Sequence, residues 1–339
     1  VPITNHRISD PSIWKSRHHR DEAQWMCRFT TQQITELEDA AQRVLAKRQG
    51  PTAFGKEDFV LPTVEKFLAA QLRILDNGRG FIFLRGLDVS RYDSDTLKAI
   101  YWGICSHLGL GISQNAHGEV MSAVTDYGDH FDGDDPYRHN IRAHRTTVEI
   151  HPHTDSCDHV ALLCVRPAKS GGQSAIASSL AIYNEIQETR PELLEPLRRG
   201  FFLDLVGKGT AQQQISFHRI PVFSYCNGKM SARFNKRQIE LGAQKSEAGM
   251  GALSQSAIDY VRELSLREEF LLPMTFQSGD IQVLNNRVIF HARNAIVDDP
   301  QHKRLLYRVW LNARQPRPLA AEFANQLNSG ERGGVTTRL

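Results

Sequence analysis

From about residue 145 onward the chain becomes a succession of short strand-like runs, and this change limits the fold more than any other feature. The runs HVALLCVRP (159–167), QSAIASS (173–179), FFLDLVG (201–207), PVFSYCNGKMSARF (221–234), FLLPMTFQSGDIQVLNN (270–286) and RLLYRVWLN (304–312) are rich in β-branched and aromatic residues and bounded by Gly, Pro or Asn. Such runs read as strands, and Asn227-Gly228 between two of them is a hairpin signal. Many short strands, each with a face to bury, favour an antiparallel sandwich or jelly roll. The expected fold class is therefore mainly β with peripheral helices. Two helical stretches interrupt the strands, one from about Leu180 to Arg199, split by Pro191 and Pro196, the other opened by Ser254 and running to Leu264.

The first hundred residues read as helix-rich with one strand. Thr30 and Gln33 form a capping-box signal, and Ile34, Leu37, Ala41, Val44 and Leu45 keep one apolar face until Gly50-Pro51 stops it. A second helix is expected from about Thr63 to Leu75, a buried strand in GFIFLRGL (80–87) and a third helix from Ser94 to His107. Residues 1–110 would pack as a helix-rich portion on the β part, within a single domain over 1–339. The tail NQLNSGERGGVTTRL is polar and glycine-rich, which predicts mobility.

Composition excludes several partners. Lysine plus arginine is 41 against 38 acidic residues, a net +3 that offers no broad footprint for nucleic acid or an anionic membrane. No apolar run is long enough to span a bilayer. The opening VPITNHRISD has no apolar signal core, although a start at valine fits a trimmed leader. Cys27, Cys105, Cys157, Cys164 and Cys226 are odd in number and contain no CxxC pair, so a reducing, cytoplasmic setting is expected.

The stretch IHPHTDSCDH (150–159) concentrates metal-competent side chains. Alternation along a strand pairs His153 with Asp155, and equally His151 with His153. A further candidate, His291, lies just beyond a predicted strand, 138 residues after His153. Two histidines and one carboxylate leave coordination positions open, which suits non-haem Fe(II) oxygen chemistry. A closed zinc site would need a fourth ligand, for which Cys157 is spaced; a surface hydrogen-bonding cluster is the plainer alternative. An Fe(II) oxygenase draws two further electrons from a 2-oxo acid, whose distal carboxylate needs a fixed cation and hydroxyl donors. Arg304 and Arg308, four residues apart on a predicted strand and so on one face, and Ser174 in SGGQSAIASS can serve. Each could equally be an ordinary strand or turn residue.

Taken in order, HPHTDS, GGQS, GDIQVLNNRVIFHARNAI and KRLLYRVWL resemble the 2-oxoglutarate and Fe(II)-dependent dioxygenases of the taurine dioxygenase and dichlorophenoxyacetate dioxygenase type, which includes clavaminate synthase. The resemblance runs from about 150 to 312, inside a motif-bearing part of the domain at 145–314. It implies a double-stranded β-helix with His153, Asp155 and His291 as iron ligands. It also implies that Ser174, where relatives have threonine, and Arg304 bind the distal carboxylate of 2-oxoglutarate, and that Arg308 meets an anionic group of the primary substrate. Asp155 disfavours halogenation, since the family's halogenases lack that carboxylate. The activity implied is oxidation of a C–H bond of a small anionic substrate, such as an amino acid or derivative, by dioxygen, with 2-oxoglutarate converted to succinate. Hydroxylation is the default, desaturation and cyclisation the variants. A cupin-like metal-dependent hydrolase and a non-catalytic jelly-roll binding module are the rivals.

Around the triad, His151 is expected beside the metal or at the substrate pocket, His159 as structural, Asp158 as a turn or hydrogen-bonding residue and Cys157 as a buried, inert thiol. The loop TDYGDHFDGDDPYRHN (125–140) precedes the first ligand and lacks the spacing of a calcium loop. It is a lid candidate, with Tyr127 as a substrate contact and the acidic run 126–135 as a receiver for an ammonium group. A second lid candidate is KGTAQQQISFHRI (208–220).

Overall fold

The structure is a computed structural model that describes residues 7–47, 50–115, 117–128, 145–205, 214–246, 249–299, 301–324 and 334–335. The helix opened by Thr30 forms as the capping box requires. The Thr30 hydroxyl accepts the Gln33 N–H at 3.2 Å, and the Gln33 side-chain carbonyl accepts the Thr30 N–H at 2.9 Å. This helix, α1 (Thr31–Ala46), is followed by α2 (Val64–Asn77) and α3 (Ser94–Leu108).

Fifteen strands follow the chain among the described residues: β1 (Met26–Arg28), β2 (Phe81–Arg85), β3 (Leu110–Ile112), β4 (Met121–Val124), β5 (Ile150–His153), β6 (His159–Arg166), β7 (Ser170–Gly171), β8 (Ser174–Ser178), β9 (Phe223–Cys226), β10 (Lys229–Ala232), β11 (Leu272–Met274), β12 (Ile281–Asn285), β13 (Ile289–Arg293), β14 (Ile296–Val297) and β15 (Leu305–Asn312). The larger sheet runs β1-β2-β12-β6-β15-β3, with β4 also on β15; the smaller runs β11-β8-β13-β5. Only the β1–β2 pairing in these two sheets is parallel. β9 and β10 form the expected hairpin, its turn at Asn227 (φ 45°) and Gly228 (φ 79°).

Alternation along the larger sheet divides the core in two. Ile82, Leu84, Ala161, Leu163, Ile281, Val283, Val309 and Leu311 pack against α1 to α3. The residues between them, including Val160, Cys164, Leu284, Leu306 and Trp310, join a second core with Ile176, Ile289 and Phe290 of the smaller sheet. Strands covered on both faces read as continuous apolar runs, which is why GFIFLRGL was recognisable. Gln282 and Arg308 fall on the face turned towards the smaller sheet, and the site is built there.

Helices α4 (Ser179–Thr189), α5 (Leu194–Arg199), α6 (Lys236–Lys245), α7 (Ala252–Leu266) and α8 (Ala321–Ala324) complete the described elements. Pro191 separates α4 from α5 through a short 3-10 turn, but Pro196 sits in the first turn of α5, where a missing N–H breaks no helical bond. α7 starts two residues before Ser254, and α6 was not expected at all; the Asn235 side chain caps it by accepting the Gln238 N–H at 3.1 Å.

Two expected strands need correction. FFLDLVG makes only isolated bridges, Phe201 with Ile220 and Asp204 with Ile215, over its described part. Its backbone bonds are divided, the Asp204 N–H going to Gln238 O and the Leu205 N–H to Gln214 O, so no continuous ladder forms. The run 270–286 is two strands in different sheets, β11 and β12, separated by a turn at Gly279. Gly279 has φ +88°, and a Cβ there would lie 1.8 Å from Leu87 O, so the turn requires glycine. Residues 129–140 and 208–213 of the two lid candidates, and the tail apart from 334–335, lie outside the described residues. Among those described, no helix is long and apolar enough to cross a membrane.

Candidate metal centre

The two histidines meet because their strands pair. β13 lies against β5 with His291 opposite His153, and their rings stand 4.2 Å apart between centroids. His291 is within β13, not beyond a strand as its position after 270–286 suggested; the short turn after β12 carries the chain across to the other sheet.

Asp155 arrives by a different route from the expected one. β5 ends at His153, so strand alternation does not place the carboxylate. The chain turns at Thr154, whose N–H donates to Phe234 O at 2.7 Å and whose hydroxyl accepts the Phe234 N–H at 3.1 Å. The Asp155 N–H then donates to Asn286 Oδ1 at 3.3 Å. This tether sets Asp155 Oδ1 3.9 Å from His153 Nε2 and Oδ2 3.9 Å from His291 Nε2. His153, Asp155 and His291 each offer a ligand atom within 4.8 Å of the others, the only such group of three or more among the described residues.

Neighbouring groups hold these side chains in metal-binding form. The His151 carbonyl lies 2.9 Å from His153 Nδ1, which favours the proton there and frees Nε2 as a lone-pair donor. Burial pushes both histidines down in pKa, His291 to about 3, so both are neutral. Burial alone would raise the Asp155 carboxyl, but Arg308, the two histidines and the Trp310 N–H together lower it well below the usual range. Trp310 Nε1 donates to Asp155 Oδ2 at 2.9 Å, and Arg308 Nη1 lies 3.5 Å from the same oxygen. Arg308 is itself steered by Gln114, whose Oε1 accepts its Nε–H at 2.8 Å. Two neutral imidazoles and an ionised carboxylate are a donor set fitted to a divalent iron.

A second polar group lies within the same fold. Arg304 is 4% exposed, its backbone N–H bonded to Asp298 at 2.7 Å and its Nη1 buried without an acceptor. Burial pulls its pKa down to about 10, which leaves it charged at neutral pH. Gly172 (φ +63°) lies against it: a Cβ there would sit 3.3 Å from Arg304 Cδ and Nε. Ser174, buried on β8, is reached by Gln282 Nε2 at 3.5 Å. A buried guanidinium with a free N–H fits the distal carboxylate of a 2-oxo acid.

Arg304 precedes β15, and the pairing with β6 slips between Leu305 and Leu306. Strand alternation therefore does not carry both arginines inward, although both are buried. Sequence reasoning missed Arg293, which is paired across the strands with Ser174 and has Nε and Nη1 buried without acceptors. It stands two residues after His291, on the same strand face, and that spacing was the available signal.

The other candidates separate from the triad. His151 is exposed, with Arg262 Nη2 3.3 Å from its Nε2 and Glu149 3.6 Å from its Nδ1. Tyr127 is exposed beneath the Arg145 guanidinium at 4.0 Å. His159 is structural, its Nε2 2.7 Å from Asp76. Asp158 forms a buried ion pair with Arg287 at 3.0 Å. Cys157 is a buried thiol with a strongly raised pKa, and all five cysteines are unpaired.

The family model for the taurine catabolism dioxygenase TauD, TfdA family matches residues 46–310. FR-33289 synthase of Streptomyces rubellomurinus is 28% identical over 327 residues, covering 94% of each chain. Taurine hydroxylase-like protein SAT17 of Stachybotrys chartarum is 29% identical over 295 residues, covering 85% of this chain and 74% of its own. Among solved structures, asparagine oxygenase in complex with Fe(II), 3-hydroxyasparagine and succinate superposes with a TM-score of 0.64 at 14% identity, over 85% of this chain and 93% of its own.

Proposed function

Because this chain belongs to the TauD/TfdA dioxygenase family, and is thus an iron- and 2-oxoglutarate-dependent oxygenase, we propose that it oxidises a C–H bond of a small anionic substrate, an amino acid or a derivative, by hydroxylation. The observation that carries the reading is the convergence of His153, Asp155 and His291, from two strands and a tethered turn, within 4.8 Å. Iron held there would activate dioxygen, the oxidant; 2-oxoglutarate would supply two of its four electrons and leave as succinate and carbon dioxide, and the substrate C–H bond would supply the other two.

The residues of the chain bind, orient and exclude water. His153 and His291 present neutral Nε2 atoms, and Asp155 presents a carboxylate kept ionised by Arg308 and Trp310. Arg304 and Ser174 take the distal carboxylate of 2-oxoglutarate, with Arg293 as a second cation nearby. Arg308 faces an acidic group of the substrate while it steadies Asp155. His151 and Tyr127 enter as substrate contacts only through their segments, one two residues before His153 and the other at the start of 125–140.

The two facing sheets, with the triad histidines on the smaller one and the arginine that supports Asp155 on the larger, support a double-stranded β-helix in a single domain over 1–339. Five unpaired cysteines support a cytoplasmic setting. The amino-acid reading is supported by asparagine oxygenase, which is bound to 3-hydroxyasparagine, a hydroxylated amino acid. Nothing in the family or the relatives favours a hydrolase or a non-catalytic module. Succinate formation measured across amino acids, other small carboxylates, sulfonates and neutral analogues tests the reading. Stimulation by anionic compounds is expected, and stimulation by neutral compounds alone would overturn it.

A further inference from the structure

Among the described residues, Arg233, like Arg293 and Arg304, carries a buried guanidinium N–H without an acceptor. It is 5% exposed and stands one residue past β10, where its backbone N–H prolongs the hairpin ladder to Val222 O at 2.8 Å. The next residue, Phe234, is the one that tethers Thr154, so Arg233 lies beside the turn that carries Asp155. Its Nη2 reaches the Ser156 hydroxyl at 3.5 Å, and its Nη1 has no partner. Ser231, two residues earlier and on the same face of the extended chain, is 1% exposed, and its hydroxyl also lacks a partner.

Arg233 differs from Arg308 in its charge balance. Arg308 already has Asp155 at 3.5 Å, whereas the charge acting on Arg233 is the guanidinium of Arg287, itself paired with Asp158. Burial lowers the Arg233 pKa to about 9, so it remains a cation at neutral pH. A buried charge without a counter-charge is unfavourable, and an arriving anion relieves it. A guanidinium fork with adjacent hydroxyls is the donor set that an oxyanion satisfies.

We propose that Arg233, with the hydroxyls of Ser231 and Ser156, forms an oxyanion subsite at Ser156, the residue after Asp155, that receives a second acidic group of the primary substrate, apart from the one facing Arg308. The inference rests on the oxygenase reading and adds a substrate class to it: small molecules with two acidic groups, one of them a carboxylate and the other a carboxylate, phosphoryl or sulfonyl group.

The test uses the full chain loaded with Mn(II) and 2-oxoglutarate, so that the triad and Arg304 are already engaged. Inorganic phosphate is the probe, and the thermal midpoint is followed. A saturable rise is expected in the wild type, with the half-saturating phosphate increased about 10- to 100-fold in Arg233→Gln, the loss of one charge-assisted hydrogen bond. Arg233→Lys keeps the charge and should retain part of the effect, while Ser231→Ala should weaken it; these two decide the matter if Arg233→Gln does not fold. In the substrate arm, the wild type should favour amino acids with an acidic side chain over their neutral amides in succinate formation, and Arg233→Gln should lose that preference. No saturable phosphate effect, or one unchanged in the variants, overturns the subsite. If 2-oxoglutarate fails to bind the Mn(II) protein, the oxygenase reading fails first; a normal loaded complex indifferent to Arg233 removes this inference alone.

Discussion

Replacing Arg304 by alanine should separate the binding of 2-oxoglutarate from the stability of the fold. In the free protein the guanidinium is 4% exposed, lacks an acceptor for Nη1 and has a pKa pulled down to about 10. That lowering corresponds to about 3 kcal/mol of unfavourable charge burial. A carboxylate arriving at this guanidinium meets a preformed, poorly solvated cation, and truncating one member of such a pair costs about 2–5 kcal/mol. The dissociation constant of 2-oxoglutarate should therefore rise about 30- to 4000-fold. The unliganded variant should lose little stability, because the removed charge was itself unfavourable and only the packing of its stem against Gly172 disappears. Arg304→Lys, which keeps the charge without the fork, should fall between the two. Isothermal titration of 2-oxoglutarate into the Mn(II)-loaded proteins measures the affinities, and thermal denaturation of the apo proteins measures the fold. An Arg304→Ala affinity within about threefold of wild type, or a large loss confined to Arg308→Ala, would refute the reasoning.

Further outcomes follow from the same contacts. His153→Ala, Asp155→Ala and His291→Ala should each abolish Fe(II) binding measured by titration while the circular dichroism is retained, and His151→Ala should be much milder; equal losses for His151 and His153 would mean the wrong histidine was chosen. Arg287→Ala removes the ion-pair partner of the buried Asp158, and should cost about 3–5 kcal/mol in urea unfolding; a change below about 1 kcal/mol would show the pair to be dispensable. Metal-free stability should fall with acidification. Both triad histidines are kept neutral in the folded state, His291 down to about 3, whereas the unfolded chain protonates histidine near 6.5, so the unfolded state binds more protons and stability drops from pH 6.5 towards pH 3. Urea titrations across that range should show a shallower decline in His291→Gln; an unchanged slope would count against the buried neutral imidazole.

Local signals were legible because local physics decided them. The Thr30–Gln33 capping box, the Asn227-Gly228 turn and the apolar runs of β6 and β15 each carry their own cause within a few residues. α6 was not legible, since Ile239 and Leu241 are too few apolar positions to mark a face in a segment rich in lysine, arginine and glutamine. The ligand pair in HPHTD was chosen on alternation, but the geometry comes from Phe234 and Asn286, which lie 80 and 131 residues away from Thr154 and Asp155. Arg233 looks like any other arginine in the sequence, and Arg293 is marked only by standing two residues after His291. What distinguishes them, among the described residues, is a buried guanidinium N–H without an acceptor, a property of tertiary contacts.

The central claim is that the triad brings dioxygen and 2-oxoglutarate together. Turnover of 2-oxoglutarate by the Fe(II) protein under ¹⁸O-labelled dioxygen tests it most directly. The account predicts that 2-oxoglutarate is consumed only when dioxygen is present, that the succinate formed carries one labelled oxygen atom, and that Asp155→Ala yields none. Unlabelled succinate, consumption without dioxygen, or undiminished turnover in Asp155→Ala would contradict it.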